Sequence, residues 1–489
     1  MSATRHSFFF SFAEKYTALL LGIIATMVLS RLLTPAEVGV YSLGAVLVAL
    51  VQVVRDFGVG QYLIQEKQLD TAKLRAALAT SLLVAWLLAG MVLLASGPLA
   101  QFYGEPRLTL VLRLLSVNFL LIPLSALTLP MLRRQLRFRA IYAINAANSV
   151  VNLLVAVLLA LHGYSYMSMV WAALAGSCAS LLVSLLVRPG ELPWLPGRRG
   201  MGAIARFGAY ATGGSLVDEA GVAAPDLIIG KLIGIESLAL FGKAQSVLNI
   251  FNQAITSAIS PVVFPLFAAR ARGDGGQGGA EIVYLRTISY MTSLAWPFFF
   301  FLACMALPLV KVLYGTQWLA CVPLIRIMCL SSAVYSMFSM ARYLLVATGQ
   351  LPAQVRLDAC AGVIKVALLL AAAPFGLVAV AWAVVLGNVL RSCLVYGCLR
   401  RLSALDWRIL ARAVRKSLLL CGISGMAPVA ALLWLPLDTP ALLALTGTAL
   451  LSLLCWLAGL FLLKHELAGE FLLLQRQLLG RWLAVKSPH

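Results

Sequence analysis

Segments of about 20 residues with almost no charged side chains recur along nearly the whole chain. An α-helix of that length, rising about 1.5 Å per residue, crosses the hydrocarbon core of a bilayer. Of the 489 residues, 62% are hydrophobic and 11% are charged, whereas about 25% of the residues in soluble domains are charged. A soluble fold of this length cannot bury so much apolar surface. The sequence therefore predicts an all-α integral membrane protein.

Dividing the chain into segments of this length predicts about 14 transmembrane helices. They lie at residues 10–30, 38–58, 76–97, 108–130, 141–161, 166–187, 208–233, 238–265, 287–307, 319–346, 358–373, 377–399, 417–435 and 441–463. The segments that connect them are short, so no extracytoplasmic domain is available for catalytic machinery. The protein is not expected to be an enzyme.

The basic residues between the spans lie mostly on one side. The segments on the side of the N-terminus hold most of the 38 Lys and Arg, and only Arg31, Arg107 and Lys311 fall in the opposite loops. The positive-inside rule then predicts that both termini are cytoplasmic, in agreement with an even number of spans. The net charge of +20 is explained by this placement, and no nucleic-acid partner is expected.

The stretch SRLLTPAEVGVY, residues 30–41, predicts a tight turn between the first two spans. Thr34 and Glu37 have the spacing of a capping box, and Pro35 stands at the first helical position. The stretch GKLIGIESLALF at residues 230–241 repeats its basic, aliphatic and aromatic positions, and residues 97–116 resemble residues 307–331 in the same way.

These repeats predict two homologous six-helix lobes followed by two further helices. The N-lobe covers 1–190 (spans 1–6) and the C-lobe 200–400 (spans 7–12). Residues 401–489 hold spans 13 and 14 and an amphipathic cytoplasmic tail, with Leu467, Phe471, Leu474, Leu478 and Trp482 at helical spacing. Lobes with equal topology are related by an axis along the membrane normal, and the site is expected between them.

Charged side chains within predicted spans are costly and usually face a cavity or a partner. Cations outnumber carboxylates there, which favours an anionic ligand; local pairing, for instance near Asp358, is the alternative. The candidates for a cationic cavity are Lys243, Lys365, Arg326, Arg391, Arg113 and Arg55. The carboxylates of span 7 either carry a coupling ion, H⁺ or Na⁺, or pair with nearby lysines. They are Asp218, Glu219 and Asp226.

Amide side chains recur at helical spacing on two spans. They suit sugar hydroxyls, but they also suit hydrogen bonds between helices. The amides expected to contact sugar are Gln245, Asn249 and Asn252 on span 8, and Asn145, Asn148 and Asn152 on span 5. The nine cysteines are scattered singly and read as small buried hydrophobic residues. Neither a metal nor a cofactor is expected.

Several stretches together resemble the oligosaccharide flippase (Wzx-type polysaccharide transporter) family. They include VLSRLLTPAEVGVYSL, FYGEPRLTLVLRLLS, LRRQLRFRAI, LIIGKLIGIESLALFGKA and VLYGTQWLACVPLIRIMCL. The family is a branch of the multidrug/oligosaccharidyl-lipid/polysaccharide exporter superfamily. The resemblance covers spans 1–12 and implies a MATE-like, two-lobed fold with alternating access in the bacterial inner membrane.

The resemblance also implies a substrate. It is an oligosaccharide linked to undecaprenyl pyrophosphate, carried to the outer leaflet for O-antigen, capsule or exopolysaccharide assembly. The resemblance further implies a polysaccharide polymerase and chain-length machinery as partners. Three rivals remain open: a MATE-like drug or metabolite antiporter, a lipid II flippase, and a membrane polymerase or ligase. The antiporter would favour a carboxylate-rich cavity, and the enzyme a long extracytoplasmic loop.

Overall fold

The structure is a computed structural model that describes residues 2–272, 276–402, 405–434, 436 and 439–470. These residues form helices joined by short turns, with no β-strand among them. Twelve of the helices in this part of the chain are long and apolar enough to cross a membrane. The predicted all-α membrane fold is confirmed.

The chain divides into two compact units. The first consists of Met1–Gly242 and Leu313–Gln317, and the second of Lys243–Val312 and Trp318–His489. The first unit holds α1 (Ser2–Leu32), α2 (Pro35–Asp56), α3 (Val59–Gln65), α4 (Thr71–Tyr103), α5 (Arg107–Leu121), α6 (Thr128–Arg134), α7 (Phe138–Leu161), α8 (Met167–Leu186), α9 (Met201–Leu232) and the start of α10 (Ile235–Phe251). The division into lobes at 1–190 and 200–400 stays a prediction.

The capping box predicted at the start of α2 is confirmed. The Thr34 hydroxyl accepts a hydrogen bond from the Glu37 backbone N–H at 3.4 Å, and the Thr34 backbone N–H donates to Glu37 Oε2 at 2.7 Å. Glu37 Oε1 also accepts a hydrogen bond from the Ser165 hydroxyl. These bonds satisfy N–H groups at a helix end, where lipid offers no acceptor.

The second unit contains the rest of α10 and the helices after it. A π-helical turn, Asn252–Thr256, separates α10 from α11. The further helices are α11 (Ser257–Arg272), α12 (Gly276–Cys304), α13 (Ala306–Leu313), α14 (Cys321–Met337), α15 (Ala341–Ala347), α16 (Leu351–Ala372), α17 (Leu377–Leu402), α18 (Trp407–Trp434) and α19 (Ala441–Leu462). In this unit α12 packs on α18 and α14, and α17 packs on α14 and α16.

Predicted spans 7 and 8 fall on α9 and on α10–α11. Neither is among the 12 helices long and apolar enough to span. The carboxylates of α9 lower its hydropathy, and α10 has only 17 residues before the π turn. The total of 14 spans is consistent with the fold and stays a prediction. The predicted tail positions Phe471, Leu474, Leu478 and Trp482 lie outside the described residues.

Candidate functional site

A cavity of about 660 Å³ lies within the first unit. Its walls come from the end of α2, from α3, from the 3₁₀ turn Ile122–Ser125, and from α6, α7, α8 and α9. We call it the main cavity. Helices of the predicted N-lobe and α9, the first helix of the predicted C-lobe, thus enclose it together.

The chain breaks between α2 and α3 at the wall of the main cavity. Phe57 and Gly58 both have left-handed backbones, with φ of 40° and 61°. The break packs closely on α9: a Cβ added to Gly208 would lie 2.5 Å from the Phe57 carbonyl oxygen. A left-handed pair ends one helix and redirects the next, so α3 turns away from α2 and leaves Arg55 and Asp56 at the cavity.

Nine of the 23 residues that line the main cavity have uncharged polar side chains, and eleven are apolar residues or glycine. Hydroxyl and amide groups can both donate and accept hydrogen bonds, as sugar hydroxyls can. Thr212 Oγ1 is buried and has no hydrogen-bond partner within the described part of the chain. The polar lining includes Gln61, Ser125, Asn145, Asn148, Ser177 and Thr212.

The charged residues of the main cavity are Arg55, Asp56 and Arg133. Arg55 Nη2 lies 2.6 Å from Asp56 Oδ1, and the Arg55 guanidinium lies over the Phe119 ring with 5.9 Å from Cζ to the centroid. Arg133 is exposed and makes no side-chain hydrogen bond or ion pair within the described residues. The main cavity therefore carries one net positive charge.

A second cavity, of about 530 Å³, adjoins the first. It lies between α1 and α7, and we call it the side cavity. Its lining includes Glu14, Lys15 and Ala18 of α1, and it shares Arg133, Asn145 and Asn148 with the main cavity. Asn145 Nδ2 donates to Glu14 Oε1 at 2.5 Å. The shared residues place Arg133 and the two amides at the junction of the cavities.

Arg134, next to Arg133, has a different environment. Its Nη1 donates to the Leu63 carbonyl at 2.7 Å and to the Glu66 carbonyl at 2.5 Å, and its Nη2 donates to the Lys67 carbonyl at 3.3 Å. Carbonyls at a helix C-terminus attract cations. Arg134 thus fixes α6 to the end of α3 and, through the backbone, holds Arg133 at the cavity junction.

Glu66 ends the same segment and is bonded on its other side. Lys73 Nζ donates to Glu66 Oε1 at 3.0 Å. This hydrogen bond from an ammonium group lowers the pKa of Glu66 below its ordinary value. The carboxylate is therefore charged at neutral pH and holds the turn between α3 and α4 through Lys73.

Three of the predicted site residues, Arg55, Asn145 and Asn148, meet in the main cavity. Two others on the first six spans have helix partners. The Asn152 Cβ lies 3.2 Å from the Cβ that Gly176 would have, so Asn152 faces the α7–α8 contact. Arg113 Nε donates to Ser96 Oγ at 3.3 Å, which joins α5 to α4.

The remaining predicted cations belong to the second unit. Lys243 is 8% exposed and its Nζ lies 5.1 Å from the centroid of the buried Trp318 ring. Arg391 lies 3.9 Å from Asp358 and over the Tyr335 ring, the local pairing that was the alternative to a cavity role. Arg326 is exposed on α14, and Lys365 is partly buried on α16 beside Gly387.

The predicted ion-coupling carboxylates lie on α9, and the predicted amides of span 8 lie on α10 and the π turn that follows it. Gln245 and Asn249 are partly buried on α10, and Asn252 begins the π turn, where its Oδ1 accepts from Thr256 Oγ1 at 3.2 Å. Asp218, Glu219 and Asp226 lie on α9 beyond the part that lines the main cavity. None of these six lines the main cavity or the side cavity.

Sequence reasoning missed Arg133 and Glu14 as cavity residues. Arg133 belongs to a run of basic residues that the positive-inside rule assigns to a cytoplasmic loop. The short helix α6 also places it at the cavity, which the rule does not predict. Within the described residues, no group of three or more His, Cys, Asp or Glu side chains is arranged to hold a metal ion.

The fold is that of known membrane flippases and exporters. It superposes on lipid II flippase MurJ in an inward closed conformation with a TM-score of 0.76 and 12% identity, covering 94% of this chain and all of that one. An inward-facing MATE multidrug transporter gives a TM-score of 0.58 at 16% identity, over 78% of this chain and 94% of that one. The chain is thus a multi-pass α-helical membrane protein with a MurJ- and MATE-like fold.

The chain belongs to the polysaccharide biosynthesis protein family, whose sequence pattern matches residues 28–323. Its relatives include the succinoglycan biosynthesis transport protein ExoT of Rhizobium meliloti, 24% identical over 64% of this chain and 62% of that protein. The teichuronic acid biosynthesis protein TuaB of Bacillus subtilis is 23% identical over 57% of each chain, and the lipopolysaccharide biosynthesis protein WzxC of Escherichia coli 21% over 63% of each. The alignments thus span about three-fifths of these relatives.

Proposed function

We propose that this protein is a flippase for an oligosaccharide linked to undecaprenyl pyrophosphate, and that it works by alternating access. The observation that carries the proposal is the main cavity, which combines a cation with hydroxyl and amide groups in a chain of this family. The relatives named for succinoglycan transport and lipopolysaccharide biosynthesis support the same class of substrate. The protein would act as a transporter and not as an enzyme.

The lining of the main cavity suits the two parts of such a headgroup. Asn145, Asn148 and the unpartnered Thr212 hydroxyl offer donors and acceptors to sugar. Arg133 offers a guanidinium to phosphate, with which arginine forms paired, charge-assisted hydrogen bonds. The lipid tail would stay in the bilayer while the headgroup crosses inside the protein.

We assign the other predicted site residues to other steps of the transport cycle. Lys243, Lys365, Arg326 and Arg391 would contact the anionic headgroup from the second unit. Asp218, Glu219 and Asp226 of α9 would carry the coupling ion, H⁺ or Na⁺. The setting would be the bacterial inner membrane with both termini in the cytoplasm, and a polysaccharide polymerase with its chain-length machinery would receive the product.

Reconstitution in proteoliposomes tests the proposal. A fluorescent oligosaccharide on undecaprenyl pyrophosphate, trapped in the inner leaflet, should become accessible to an added quencher at a rate that depends on the protein. Lipid II and the cationic dye ethidium are the competing substrates. Faster movement of lipid II would favour a lipid II flippase, ethidium transport would favour a MATE-like antiporter, and no transport of the labelled lipid would contradict the proposal.

The lysines of the second unit allow a test in cells. We expect Lys243→Ala and Lys365→Ala to abolish surface polysaccharide, because each removes a cation that would neutralise the headgroup. Immunoblots of membranes and the melting temperature of the purified variants establish that each protein is present and folded. Normal export by both variants would contradict a role for these cations in the second unit.

A further inference from the structure

We propose that Arg133 is the residue that binds the pyrophosphate, and that the lipid tail leaves the protein through the side cavity between α1 and α7. This inference rests on the proposed function and assigns places to the two ends of the substrate. The sugar would occupy the main cavity, the pyrophosphate the junction, and the first isoprene units the side cavity.

The position of Arg133 carries the first part. It lines both cavities, together with Asn145 and Asn148, and so lies where a molecule that occupies both must pass. The Asn145 amide is already oriented there, because its Nδ2 donates to Glu14 Oε1. A linker between sugar and lipid would reach this junction and no deeper part of the main cavity.

The three arginines around the main cavity differ in what they bind. Arg55 is paired with Asp56 at 2.6 Å, and Arg134 donates to three backbone carbonyls. Arg133 has no side-chain partner within the described residues, and it is exposed. Its guanidinium can therefore bind phosphate oxygens without breaking an existing interaction, which would cost affinity at the other two.

The charge at the junction is positive. The side cavity holds Lys15 and Arg133 against the single carboxylate Glu14, and the main cavity adds only the Arg55–Asp56 pair. Glu14 repels an anion, but one of its oxygens is bonded to Asn145. Lys15 and Arg133 would thus share the charge of the pyrophosphate.

The walls of the side cavity support its role as the lateral path. Three of its nine lining residues are apolar, namely Ala18 of α1 and Phe138 and Ile141 of α7, and the other six are charged or polar. Ala18 is an exposed residue of a predicted span, so the side cavity reaches the surface that faces lipid. The three apolar side chains would contact the first isoprene unit, next to the cations that would bind the pyrophosphate.

Binding of undecaprenyl pyrophosphate to detergent-solubilised full-length protein, measured by microscale thermophoresis, tests the role of Arg133. We expect Arg133→Gln to weaken binding by about tenfold or more and Arg133→Lys to weaken it less, because lysine keeps the charge and loses the paired geometry. Undecaprenol, which has no phosphate, should bind the wild type and Arg133→Gln alike.

Arg134→Gln is the matched control. It should lower the melting temperature, because carbonyls at the end of α3 lose their donor, while the folded fraction keeps its affinity for undecaprenyl pyrophosphate. Equal affinity of the wild type and Arg133→Gln would overturn the assignment, as would an equal loss in folded Arg134→Gln. Inorganic pyrophosphate that binds as tightly as the lipid would show a site for the free anion and would overturn the lipid path.

A bulky side chain in the side cavity tests the path itself. In the proteoliposome assay we expect Ala18→Trp to slow transport by about tenfold, because the indole fills the space between α1 and α7. Leu20→Trp is the control, since Leu20 is exposed on α1 and does not line the side cavity. Equal rates for the two variants would contradict the lateral path.

The outcomes separate this inference from the proposed function. A wild-type protein that moves no pyrophosphate-linked lipid contradicts the function as a whole. A wild type that transports, with Arg133→Gln and Ala18→Trp transporting at the same rate, contradicts only the placement of the pyrophosphate and the tail.

Discussion

Gly208 lies where α9 crosses the break between α2 and α3. A Cβ at this position would lie 2.5 Å from both the carbonyl oxygen and the Cδ1 atom of Phe57. Contacts of that length force a shift of backbone, because interiors are close-packed and a carbonyl cannot rotate away as a side chain can. The wall of the main cavity therefore depends on the absence of one methyl group.

Gly208→Ala should lower the free energy of unfolding by about 1–3 kcal/mol through overpacking. The measurement is thermal unfolding of the purified protein in detergent. Gly213→Ala on the same helix is the control: nothing lies within 4 Å of its Cβ, so the higher helix propensity of alanine should leave stability equal or slightly raised. A shift of the same sign and size in both variants would contradict the packing argument.

The sequence predicted part of the site at the level of single residues. Asn145 and Asn148 were predicted from their helical spacing, and the structure places both in the main cavity. Asn152 continues the same spacing and lies, like Asn148, against Gly176 of α8, but it does not line the main cavity. Periodicity identifies one face of a helix, but what that face meets depends on neighbours that are distant in sequence.

Arg133 and Arg134 show a second limit of residue-level prediction. Their side chains are chemically identical and adjacent, and the positive-inside rule treats them alike. Arg134 binds the end of α3, whereas Arg133 lines two cavities. The difference arises from how α6 is oriented against α3, and no local sequence signal encodes that orientation.

Among the helices of the second unit, α12 and α18 meet through a buried polar cluster. His465, which follows α19, has Nε2 at 3.3 Å from Ser289 Oγ and 3.4 Å from Ser417 Oγ. Its Nδ1 accepts from the Leu467 backbone N–H at 3.2 Å, so the proton belongs on Nε2. Ser417 Oγ donates to the Ser289 carbonyl at 3.1 Å. The cluster fixes the end of α19 to two helices.

Burial lowers the pKa of His465 below its ordinary value, opposed by Glu466 and aided by Lys416. Because the folded state favours the neutral ring, His465 contributes stability above the ordinary pKa of about 6.5, and that contribution is lost as pH falls through the lower folded value. The melting temperature should therefore fall with acidification below about pH 6.5.

His465→Gln should flatten this dependence and lower the melting temperature at neutral pH, since glutamine does not titrate but disturbs the cluster. His162→Asn is the control, because His162 is exposed after α7 and its loss should leave the profile unchanged. If the melting temperature falls equally with acidification in His465→Gln and in the wild type, the fall arises from other groups.

At the level of helices, prediction succeeded where local signals are strong. The capping box of Thr34 and Glu37 marks the start of α2, and the structure has it. The carboxylates of span 7 are evident in the sequence. The π turn that interrupts span 8 was not predicted, because an apolar window averages over local changes of helix geometry.

At the scale of the whole molecule, the sequence predicts the membrane topology, and the fold alone does not test that prediction. If α9 and α10–α11 both cross the membrane, residue 234 between them is extracytoplasmic. Alkaline phosphatase fused after Gly234 should then be active, while a fusion after Arg198 should be inactive, because the enzyme folds only outside the cytoplasm. Green fluorescent protein at the C-terminus should be fluorescent.

Fusions of green fluorescent protein at the two internal points provide the reciprocal control, fluorescent after Arg198 and dark after Gly234. An inactive phosphatase and a fluorescent protein after Gly234 would place α9 and α10 on the cytoplasmic side. The number of spans would then fall to 12, and the C-lobe would no longer repeat the topology of the N-lobe.

The π turn at Asn252–Thr256 has a geometric consequence for the repeat. A π turn takes in one residue more than an α turn, and one residue corresponds to about 100° of rotation around the helix axis. Positions after Thr256 are therefore rotated relative to those before Asn252. Positions before and after the turn that a helical wheel places in one row therefore lie at two azimuths in the folded helix, so one span can contact two different neighbours along its length.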